Sequence, residues 1–368
     1  MSRHLEVHRH RGGLPVTRQR LAEGRLTVGF VGGSITDPRP HMNWPDYVVP
    51  WLVAGFPRAR IAVENAAIGA TGSDLAVFRA ERDLIGPGCD LVFVEFAVND
   101  FDEPPERRFC AREGLIRKLL AARCEVVLAY TFSQPMYDDM IGGRMPPSIA
   151  DFEVLAEHYG LGSIWMGLHA LNEVRAGRLR WEAWLPDGLH PQHLGSQCYA
   201  HSVIGYLEAE LARPRRGARR GKGPARRSLP KAHNPRHWQH ARLLPLDQVA
   251  TTGPWALHRW AGCPWIDQVL ETAAPGATAA LDFHGRGLAL GFDFGNQSSE
   301  FRWRLDGGGW QDSQRPRFDW CGPEGWFRIF HVTDDLPAGH HRFELEVTHP
   351  GEGKIGTNCR LAMVGVIP

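Results

Sequence analysis

The sequence predicts two domains, an α/β domain followed by an antiparallel β domain. Short apolar runs alternate with helical stretches as far as residue 212, a pattern typical of βαβ units around a parallel sheet. Beyond residue 246 the helical spacing disappears and short β-rich runs follow one another, which indicates a β-sandwich. We therefore expect a flavodoxin-like three-layer α/β/α domain over 1–212 and a β-sandwich domain over 246–368.

Five apolar runs are the candidate strands of the parallel sheet. Strands in such a sheet are buried on both faces, so they appear as continuous hydrophobic runs. The runs are 26–31 (LTVGFV), 60–63 (RIAV), 91–96 (LVFVEF), 125–130 (EVVLAY) and 162–166. Helical spacing occupies the stretches between and after them, at 43–55, 73–84, 106–122, 149–158 and 195–212.

A basic segment separates the two predicted domains. Residues 213–231 (RPRRGARRGKGPARRSLPK) hold nine Lys or Arg, no acidic residue, and several Gly and Pro. Such a composition cannot pack a core, so we assign 213–245 to a linker. An anion-binding strip is the alternative interpretation.

The second domain is predicted from six β-rich runs and the turns between them. The runs are 279–284, 287–294, 299–305, 326–332, 341–347 and 360–366. Two turn sequences, DGGG at 306–309 and PAG at 337–339, are typical of β-hairpins.

Composition and charge exclude several classes of protein. A net charge of +1 gives no reason to expect a nucleic-acid partner for the chain as a whole. The basic N-terminus lacks the apolar stretch of a secretory signal, and no apolar run is long enough to cross a bilayer. We therefore expect a soluble, cytoplasmic protein with no membrane partner, and a homo-oligomer is compatible with the sequence.

The seven cysteines do not indicate a disulfide framework or a zinc site, because their number is odd and no CxxC pair occurs. We expect reduced and mostly buried thiols. The histidine cluster HNPRHWQH at 233–240 has no acidic or cysteine partner nearby in the sequence, so we do not assign a metal to it.

Four separated segments carry polar residues or glycines where strands end. They are VGFVGGSITD (28–37), ENAAIGATGSD (64–74), FVEFAVND (93–100) and LPDGLHPQHLG (185–195). Ligands of open α/β sheets bind outside the carboxyl ends of the strands, so these segments are candidates for one site. The first segment matches neither GxGxxG nor a GKS or GKT phosphate loop.

These four segments resemble, in order, the conserved blocks of the SGNH (GDSL-like) hydrolase family. Ser34 matches the nucleophile, Gly69 the glycine, Asn99 the asparagine, and Asp187 with His190 the D-x-x-H pair. The resemblance covers roughly residues 20–212. Two positions depart from the usual pattern, because GGS replaces GDS and Ala97 replaces a glycine two residues before the asparagine.

The resemblance implies a serine esterase that needs no metal or organic cofactor. Ser34 would attack the ester, His190 would act as the base, and Asp187 would orient His190. The implied oxyanion hole consists of the backbone N–H groups of Ser34 and Gly69 and the side-chain amide of Asn99.

Several neighbouring residues have a simpler structural interpretation. We expect Asp100 to cap a helix or support a loop, His193 to lie on a helix surface, and Trp44 to lie in the core. Trp181 and Trp184 precede the D-x-x-H segment, where they would either line the substrate pocket or pack against the sheet.

The second domain is the main indication of the substrate. It holds seven of the 13 tryptophans, and aromatic faces stack on sugar rings, although the same residues can fill a sandwich core. The seven are Trp255, Trp260, Trp265, Trp303, Trp310, Trp320 and Trp326. SGNH enzymes joined to β-sandwiches resemble carbohydrate acetyl esterases, so we expect a small-molecule or oligosaccharide acetyl ester as substrate.

Three alternatives remain open from the sequence. One is a lipase-like or thioesterase activity on longer acyl chains, and another is transfer of the acyl group to a sugar. The third is a non-catalytic carbohydrate-binding protein with a decayed hydrolase domain. A loop of the second domain at 321–326 (CGPEGW) is also a candidate cap for the active site.

Overall fold

The chain folds as two compact units, Met1–Gln239 and His240–Pro368. The structure, a computed structural model, describes residues 5–38, 42–213, 229–260, 263, 266–315, 317–318, 320–321, 326–349 and 356–368. The segment 214–228, residue 265 and most of the loop at 321–326 therefore lie outside the described residues.

The first unit is built on a six-stranded sheet in the order β1-β6-β5-β4-β2-β3. Its strands are β1 (His8–Arg9), β2 (Arg25–Gly32), β3 (Arg60–Asn65), β4 (Leu91–Glu95), β5 (Glu125–Tyr130) and β6 (Gly162–Trp165). The five longer strands are mutually parallel, and the short β1 pairs antiparallel with β6. All five predicted strands are present, and the flavodoxin-like order is confirmed.

Helices connect the parallel strands of this sheet. They are α1 (Pro15–Ala22), α2 (Trp44–Gly55), α3 (Ser73–Ala80), α4 (Pro105–Ala121), α5 (Tyr137–Ile141), α6 (Pro147–Tyr159), α7 (Met166–Arg175), α8 (Trp181–Trp184) and α9 (His193–Ala212). The five predicted helices correspond to α2, α3, α4, α6 and α9. The helical spacing in the sequence did not predict α1, α7 or the short α5 and α8.

The core of the first unit follows from the apolar runs that form its strands. All five residues of β4 are buried, as is expected for a central parallel strand covered by helices on both faces. Trp44 is fully buried, as predicted, and its ring packs edge-to-face against Phe30 and Phe93 of the sheet. All seven cysteines are buried thiols, as expected.

The order of the strands creates a switch point between β2 and β4. The chain leaves β2 toward β3 on one side and later returns to form β4 on the other side. The connections leave the sheet in opposite directions here, so a crevice opens at the carboxyl ends of these two strands. Ser34 follows β2 and Asn99 follows β4, which places both residues at this crevice.

The second unit contains two antiparallel sheets, and their order confirms the predicted β-sandwich. One sheet has the order β15-β12-β17-β10-β9 with β7 added on β17, and the other has the order β14-β13-β16-β11-β8. The strands are β7 (Arg242–Leu244), β8 (Ala250–Thr252), β9 (Ala256–Arg259), β10 (Gln268–Thr272), β11 (Thr278–Gly285), β12 (Gly287–Asp293), β13 (Glu300–Leu305), β14 (Gln311–Asp312), β15 (Phe327–Thr333), β16 (Gly339–Thr348) and β17 (Cys359–Ile367).

Apolar side chains from both sheets form the core of the sandwich. Phe292 of one sheet packs against Phe301 of the other with ring centroids 4.6 Å apart. Trp303 lies in this core, and Trp255 packs against it. Trp310 and Trp320 are 38% and 54% exposed, so the tryptophans of this unit divide between core and surface.

One of the two predicted hairpins is present. The DGGG turn joins β13 to β14, which pair antiparallel, and Asp306 and Gly307 there have positive φ values of 51° and 69°. The hairpin predicted at 337–339 is wrong, because β15 pairs with β12 whereas β16 pairs with β11 and β13. The PAG sequence instead carries the chain from one sheet to the other.

The described ends of the predicted linker belong to the two units themselves. The backbone N–H groups of His233 and Asn234 donate to the carboxylate of Glu113 on α4. Trp238 is almost fully buried and packs near Phe78 of α3. Residues 242–244 form β7 of the second unit, so only residues 214–228 of the predicted linker remain undescribed.

Among the helices that the structure describes, none combines the length and the apolar character needed to cross a membrane.

Candidate active site

Ser34 lies in a tight turn directly after β2. The backbone N–H groups of Thr36 and Asp37 both donate to the Gly33 carbonyl at 3.0 Å, so the chain bends sharply around Ser34. The Ser34 side chain is partly exposed, whereas the residues on either side of it are buried. This turn presents one hydroxyl group to the crevice.

His190 and Asp187 reach Ser34 from the loop before α9. The Ser34 hydroxyl Oγ is 2.9 Å from His190 Nε2, and His190 Nδ1 is 2.8 Å from Asp187 Oδ2. The second carboxylate oxygen of Asp187 accepts the backbone N–H groups of Leu189 and His190 at 2.8 and 2.7 Å. The structure therefore brings the three residues into one continuous chain of hydrogen bonds.

The carboxylate of Asp187 is stabilised in its ionised form. Partial burial disfavours the charge, but hydrogen bonds from the backbone and imidazole of His190 and the backbone of Leu189 outweigh it. Together they hold the pKa of Asp187 below its usual value. An ionised Asp187 beside Nδ1 leaves Nε2 free to accept a proton from Ser34.

Asn99 lies against the nucleophile turn because residue 33 is a glycine. A Cβ atom built on Gly33 would overlap the side-chain amide of Asn99. The GGS sequence therefore has a direct structural reason, since the second glycine leaves room for the amide beside Ser34. The sequence could not reveal this contact, which joins the ends of β2 and β4.

Gly69 lies in the loop after β3, beside the same turn. The N–H of Ile68 donates to the Gly32 carbonyl at 3.0 Å, and Gly69 follows as a buried residue. The next residue, Ala70, adopts a left-handed conformation with φ of 59°. This conformation is uncommon for a residue with a side chain, and such outliers concentrate at functional sites.

Asp100 supports the loop after β3 and the loop after β4, in keeping with the expected role as a loop support. Its carboxylate accepts the backbone N–H and the hydroxyl of Ser73, at the start of α3, at 2.8 and 2.7 Å. Arg112 of α4, fully buried, donates to the same carboxylate at 2.7 Å. Asp100 thus ties the segment after Gly69 to the segment that holds Asn99.

Asn43 also supports the nucleophile turn, a role that no pattern in the sequence predicted. Its amide donates to the backbone carbonyls of Ser34 and Asp37 at 2.9 and 2.8 Å. The position of Asn43 directly before α2 suggests a helix cap in the sequence, yet its side chain makes no capping bond. The amide instead fixes the far side of the nucleophile turn.

The hydroxyl of Ser34 opens into a cavity of about 280 Å³. It is lined by Ser34, Asp37, Asn43, His190, Pro191, Gln192 and His193. His193 was expected on a helix surface. It is the first residue of α9 and is exposed there, but it also faces this cavity. Asp37, Gln192 and His193 are therefore lining residues without a separate sequence signal.

The two tryptophans before the D-x-x-H loop differ in their surroundings. Trp184 is fully buried, and its ring packs against Phe132 and Tyr199. This burial corrects its assignment as a substrate-binding residue, since a side chain without exposed surface cannot contact a substrate. Trp181 is half-buried against Phe132 and Tyr137, and it does not line the cavity of Ser34.

Residues 30–198 match the sequence profile of the GDSL-like Lipase/Acylhydrolase family. Over this range the first unit is similar to GDSL-like hydrolases. The matched range begins within β2 and ends within α9, so it contains all four segments identified in the sequence. The chain is accordingly a carboxylic ester hydrolase.

Two solved structures share the fold of this chain across both units. One is a two-domain esterase (CEX) active on acetylated mannans, co-crystallized with mannopentaose, with a TM-score of 0.79. The other is also a two-domain esterase (CEX) active on acetylated mannans, with a TM-score of 0.78. Each is 22% identical in sequence and covers 97% of this chain, and the match spans 95% and 96% of the esterase chains. No curated protein sequence matches the chain at a significant level.

Proposed function

We propose that this GDSL-like hydrolase removes short acyl groups, chiefly O-acetyl groups, from a carbohydrate. The observation that carries the proposal is the hydrogen-bonded chain from Ser34 through His190 to Asp187 at the mouth of a small cavity. A hydroxyl held by an imidazole, which is held in turn by a carboxylate, is the arrangement that makes serine nucleophilic.

In the proposed reaction, Ser34 Oγ attacks the ester carbonyl while His190 Nε2 takes its proton. The tetrahedral intermediate collapses when His190 returns that proton to the leaving alcohol, and an acyl-Ser34 ester remains. Water then attacks this ester with His190 again as the base, which releases the carboxylic acid and restores Ser34. Asp187 stays ionised throughout and stabilises the imidazolium.

The proposed oxyanion hole consists of three donors around the nucleophile turn. They are the backbone N–H groups of Ser34 and Gly69 and the amide of Asn99. Support comes from the close packing of Asn99 on Gly33 and from the Ile68–Gly32 hydrogen bond, which draws the Gly69 loop to the same turn. One such donor contributes about 3–4 kcal/mol to stabilisation of the transition state.

The size of the cavity and the comparison of folds favour a short acyl group and a sugar alcohol. The cavity of about 280 Å³ is below the usual range for drug-sized ligands, which disfavours a long acyl chain. The shared fold with a two-domain esterase active on acetylated mannans, and the exposed Trp310 and Trp320, support a carbohydrate as the alcohol.

The test is hydrolysis of para-nitrophenyl acetate, butyrate and octanoate by the wild type and by Ser34→Ala. We expect the highest kcat/KM for acetate and a loss of at least about a thousandfold in the variant, because no nucleophile remains. Acetylated manno- and xylo-oligosaccharides are then compared directly, with released acetate as the measurement.

Either of two results would contradict this proposal. Activity retained by Ser34→Ala would remove Ser34 from the chemistry, and a preference for octanoate would replace the acetyl esterase with a lipase-like enzyme. Ser133→Ala is the matched control, because this largely buried serine also follows a strand of the sheet, β5, yet does not line the cavity.

A further inference from the structure

A buried carboxyl group lies beneath the nucleophile turn. Glu95 is the last residue of β4, and its side chain has no exposed surface. The register of the sheet pairs Glu95 with Gly32, so the carboxyl group faces the point where β2 ends. The backbone of Gly33 makes a hydrogen bond to this carboxylate.

Two hydroxyl groups complete the surroundings of Glu95. Thr36 Oγ1 donates to one carboxylate oxygen at 3.0 Å, and Thr131 Oγ1 donates to the other at 2.7 Å. The Thr36 hydroxyl also accepts the indole N–H of Trp44 at 3.0 Å. Glu95 therefore binds Gly33, directly before Ser34, and Thr36, two positions after it. It also links this turn to Thr131, which follows β5.

The backbone of the nucleophile turn packs directly against Glu95 at Gly32. A Cβ atom on Gly32 would lie 2.7 Å from the Glu95 carbonyl oxygen and 2.9 Å from its Oε2. Such distances are too short for any side chain at position 32. The first glycine of GGS thus allows the turn to rest on the carboxyl group, as the second allows the approach of Asn99.

We propose that Glu95 is a positioning residue that fixes the nucleophile turn in its reactive geometry. The proposal rests on the function proposed for Ser34. By accepting hydrogen bonds on both sides of Ser34, the carboxylate holds the Ser34 hydroxyl toward His190 and its N–H toward the developing oxyanion. Displacements of a fraction of an ångström at such a site lower the rate strongly.

The cost of keeping a carboxyl group at this position supports a functional reason for it. Burial raises the pKa of Glu95 to about 7, despite the hydrogen bonds from Thr131, Thr36 and Gly33. A neutral side chain of similar size would be cheaper to bury. Two neutral hydroxyl groups and one N–H surround the carboxylate, and Asp100 adds a further negative charge nearby.

Glu125 provides a matched control at the other end of the strands, because it lies at the amino end of β5. Its largely buried carboxylate accepts two backbone N–H groups, of Val16 and Thr17, at 2.6 and 2.8 Å, and the Thr17 hydroxyl at 2.7 Å. The kinds of donor therefore match those around Glu95. Glu125 begins β5, whereas the catalytic crevice lies at the carboxyl ends of the strands.

The experiment compares Glu95→Gln and Glu95→Leu with Glu125→Gln and Glu125→Leu in the full chain. We measure kcat and KM for para-nitrophenyl acetate and the rate at which a fluorophosphonate labels Ser34. We expect kcat to fall about fivefold for E95Q, which keeps one acceptor, and about thirtyfold or more for E95L, which keeps none. KM stays within about threefold of the wild type, and both Glu125 variants keep kcat within about twofold, since their loss is structural only.

Equal kcat values in the Glu95 and Glu125 series would overturn the proposal. If E95L does not fold, E95Q alone decides, and a kcat within twofold of E125Q refutes the positioning role. The labelling rate separates this inference from the proposed function. If the protein hydrolyses no ester but labelling of Ser34 slows across the Glu95 series, the proposed function is refuted and the positioning role is retained. If Ser34 is not labelled at all, both are refuted.

Discussion

At the scale of single residues, two consecutive glycines determine how the candidate site is assembled. Gly32 lets the nucleophile turn rest on Glu95, and Gly33 lets the amide of Asn99 lie beside Ser34. Neither glycine has a chemical role, yet a methyl group at either position would separate parts of the site. The departure from the usual GDS sequence thus has a steric explanation in this chain.

Gly33→Ala tests this packing directly. The added methyl group would displace the Asn99 amide, and the loss of one oxyanion donor lowers kcat by roughly a hundredfold or more. The measurement is kcat for para-nitrophenyl acetate. Gly55→Ala is the control, because no atom outside its own helix backbone and chain neighbours lies within 4 Å of the added Cβ, and we expect its kcat to equal that of the wild type. Unchanged activity in Gly33→Ala would show that Asn99 is not needed there.

The buried Glu95 makes stability depend on pH in a defined direction. Its pKa is raised by burial from 4.5 to about 7, so the folded protein binds the proton more tightly than the unfolded chain. Protonated Glu95 therefore contributes to the free energy of unfolding fully below about pH 4.5. This contribution, about 3 kcal/mol, is lost as the pH rises to about 7.

Glu95→Gln removes this dependence, because an amide does not titrate. We expect the free energy of unfolding of the variant, relative to that of the wild type, to increase by up to about 3 kcal/mol from pH 5 to pH 8. Urea unfolding of both proteins at the two pH values measures the difference. A constant difference between the two pH values would mean that Glu95 does not titrate in this window.

At the scale of elements, α4 anchors the loops that form the crevice. Arg112 donates to Asp100, which follows β4, and to the Ser148 carbonyl at the start of α6. Its guanidinium also lies 3.9 Å from the centre of the Phe152 ring. Burial raises the pKa of Asp100 and lowers that of Arg112, while the attraction between their charges opposes both shifts.

Arg112→Met leaves the carboxylate of Asp100 buried without its cation. Breaking such a pair costs about 3–5 kcal/mol, and we expect a matching fall in the free energy of unfolding. Adding Asp100→Asn should recover part of the loss, since the unpaired charge is removed. Arg107→Met is the control on the same helix, because Arg107 and its partner Glu103 are both partly exposed and the pair contributes about 1 kcal/mol or less. Equal losses for Arg112→Met and Arg107→Met would refute this explanation.

At the scale of the whole molecule, each unit is built from a different kind of sheet. The first unit buries parallel strands between helices, and the second encloses a core between two antiparallel sheets. The segment after the undescribed residues completes the first unit, because Trp238 is buried there and its N–H donates to the Cys110 carbonyl at 3.1 Å.

This arrangement predicts where the first unit can be cut. A chain of residues 1–239 should unfold cooperatively, whereas a chain of residues 1–212 loses Trp238 and should be less stable by about 3–5 kcal/mol. Chemical denaturation followed by circular dichroism measures both. Trp238→Ala in the full chain should destabilise the first unit by a similar amount. Equal stability of the two shortened chains would show that 229–239 is only a linker.

The sequence by itself determined the types of the main elements, their order, and the residues of the candidate triad. Strands and helices follow from local periodicity, which neighbouring residues specify. Ser34, Asp187 and His190 were found because each lies in a short motif with a recognisable chemical pattern. The short helices were missed, because a few residues hold too little periodic pattern to be recognised.

Only the tertiary structure decided which distant residues meet. The contacts of Glu95 with Thr36 and of Asn99 with Gly33 depend on β4 lying beside β2, which the order of residues along the chain does not reveal. The PAG turn was misread for the same reason, since a turn sequence does not specify whether the next strand returns to the same sheet. The difference between the fully buried Trp184 and the half-buried Trp181 also depends on tertiary packing. Such contacts depend on how elements pack, and packing joins residues whose local sequences carry no information about each other.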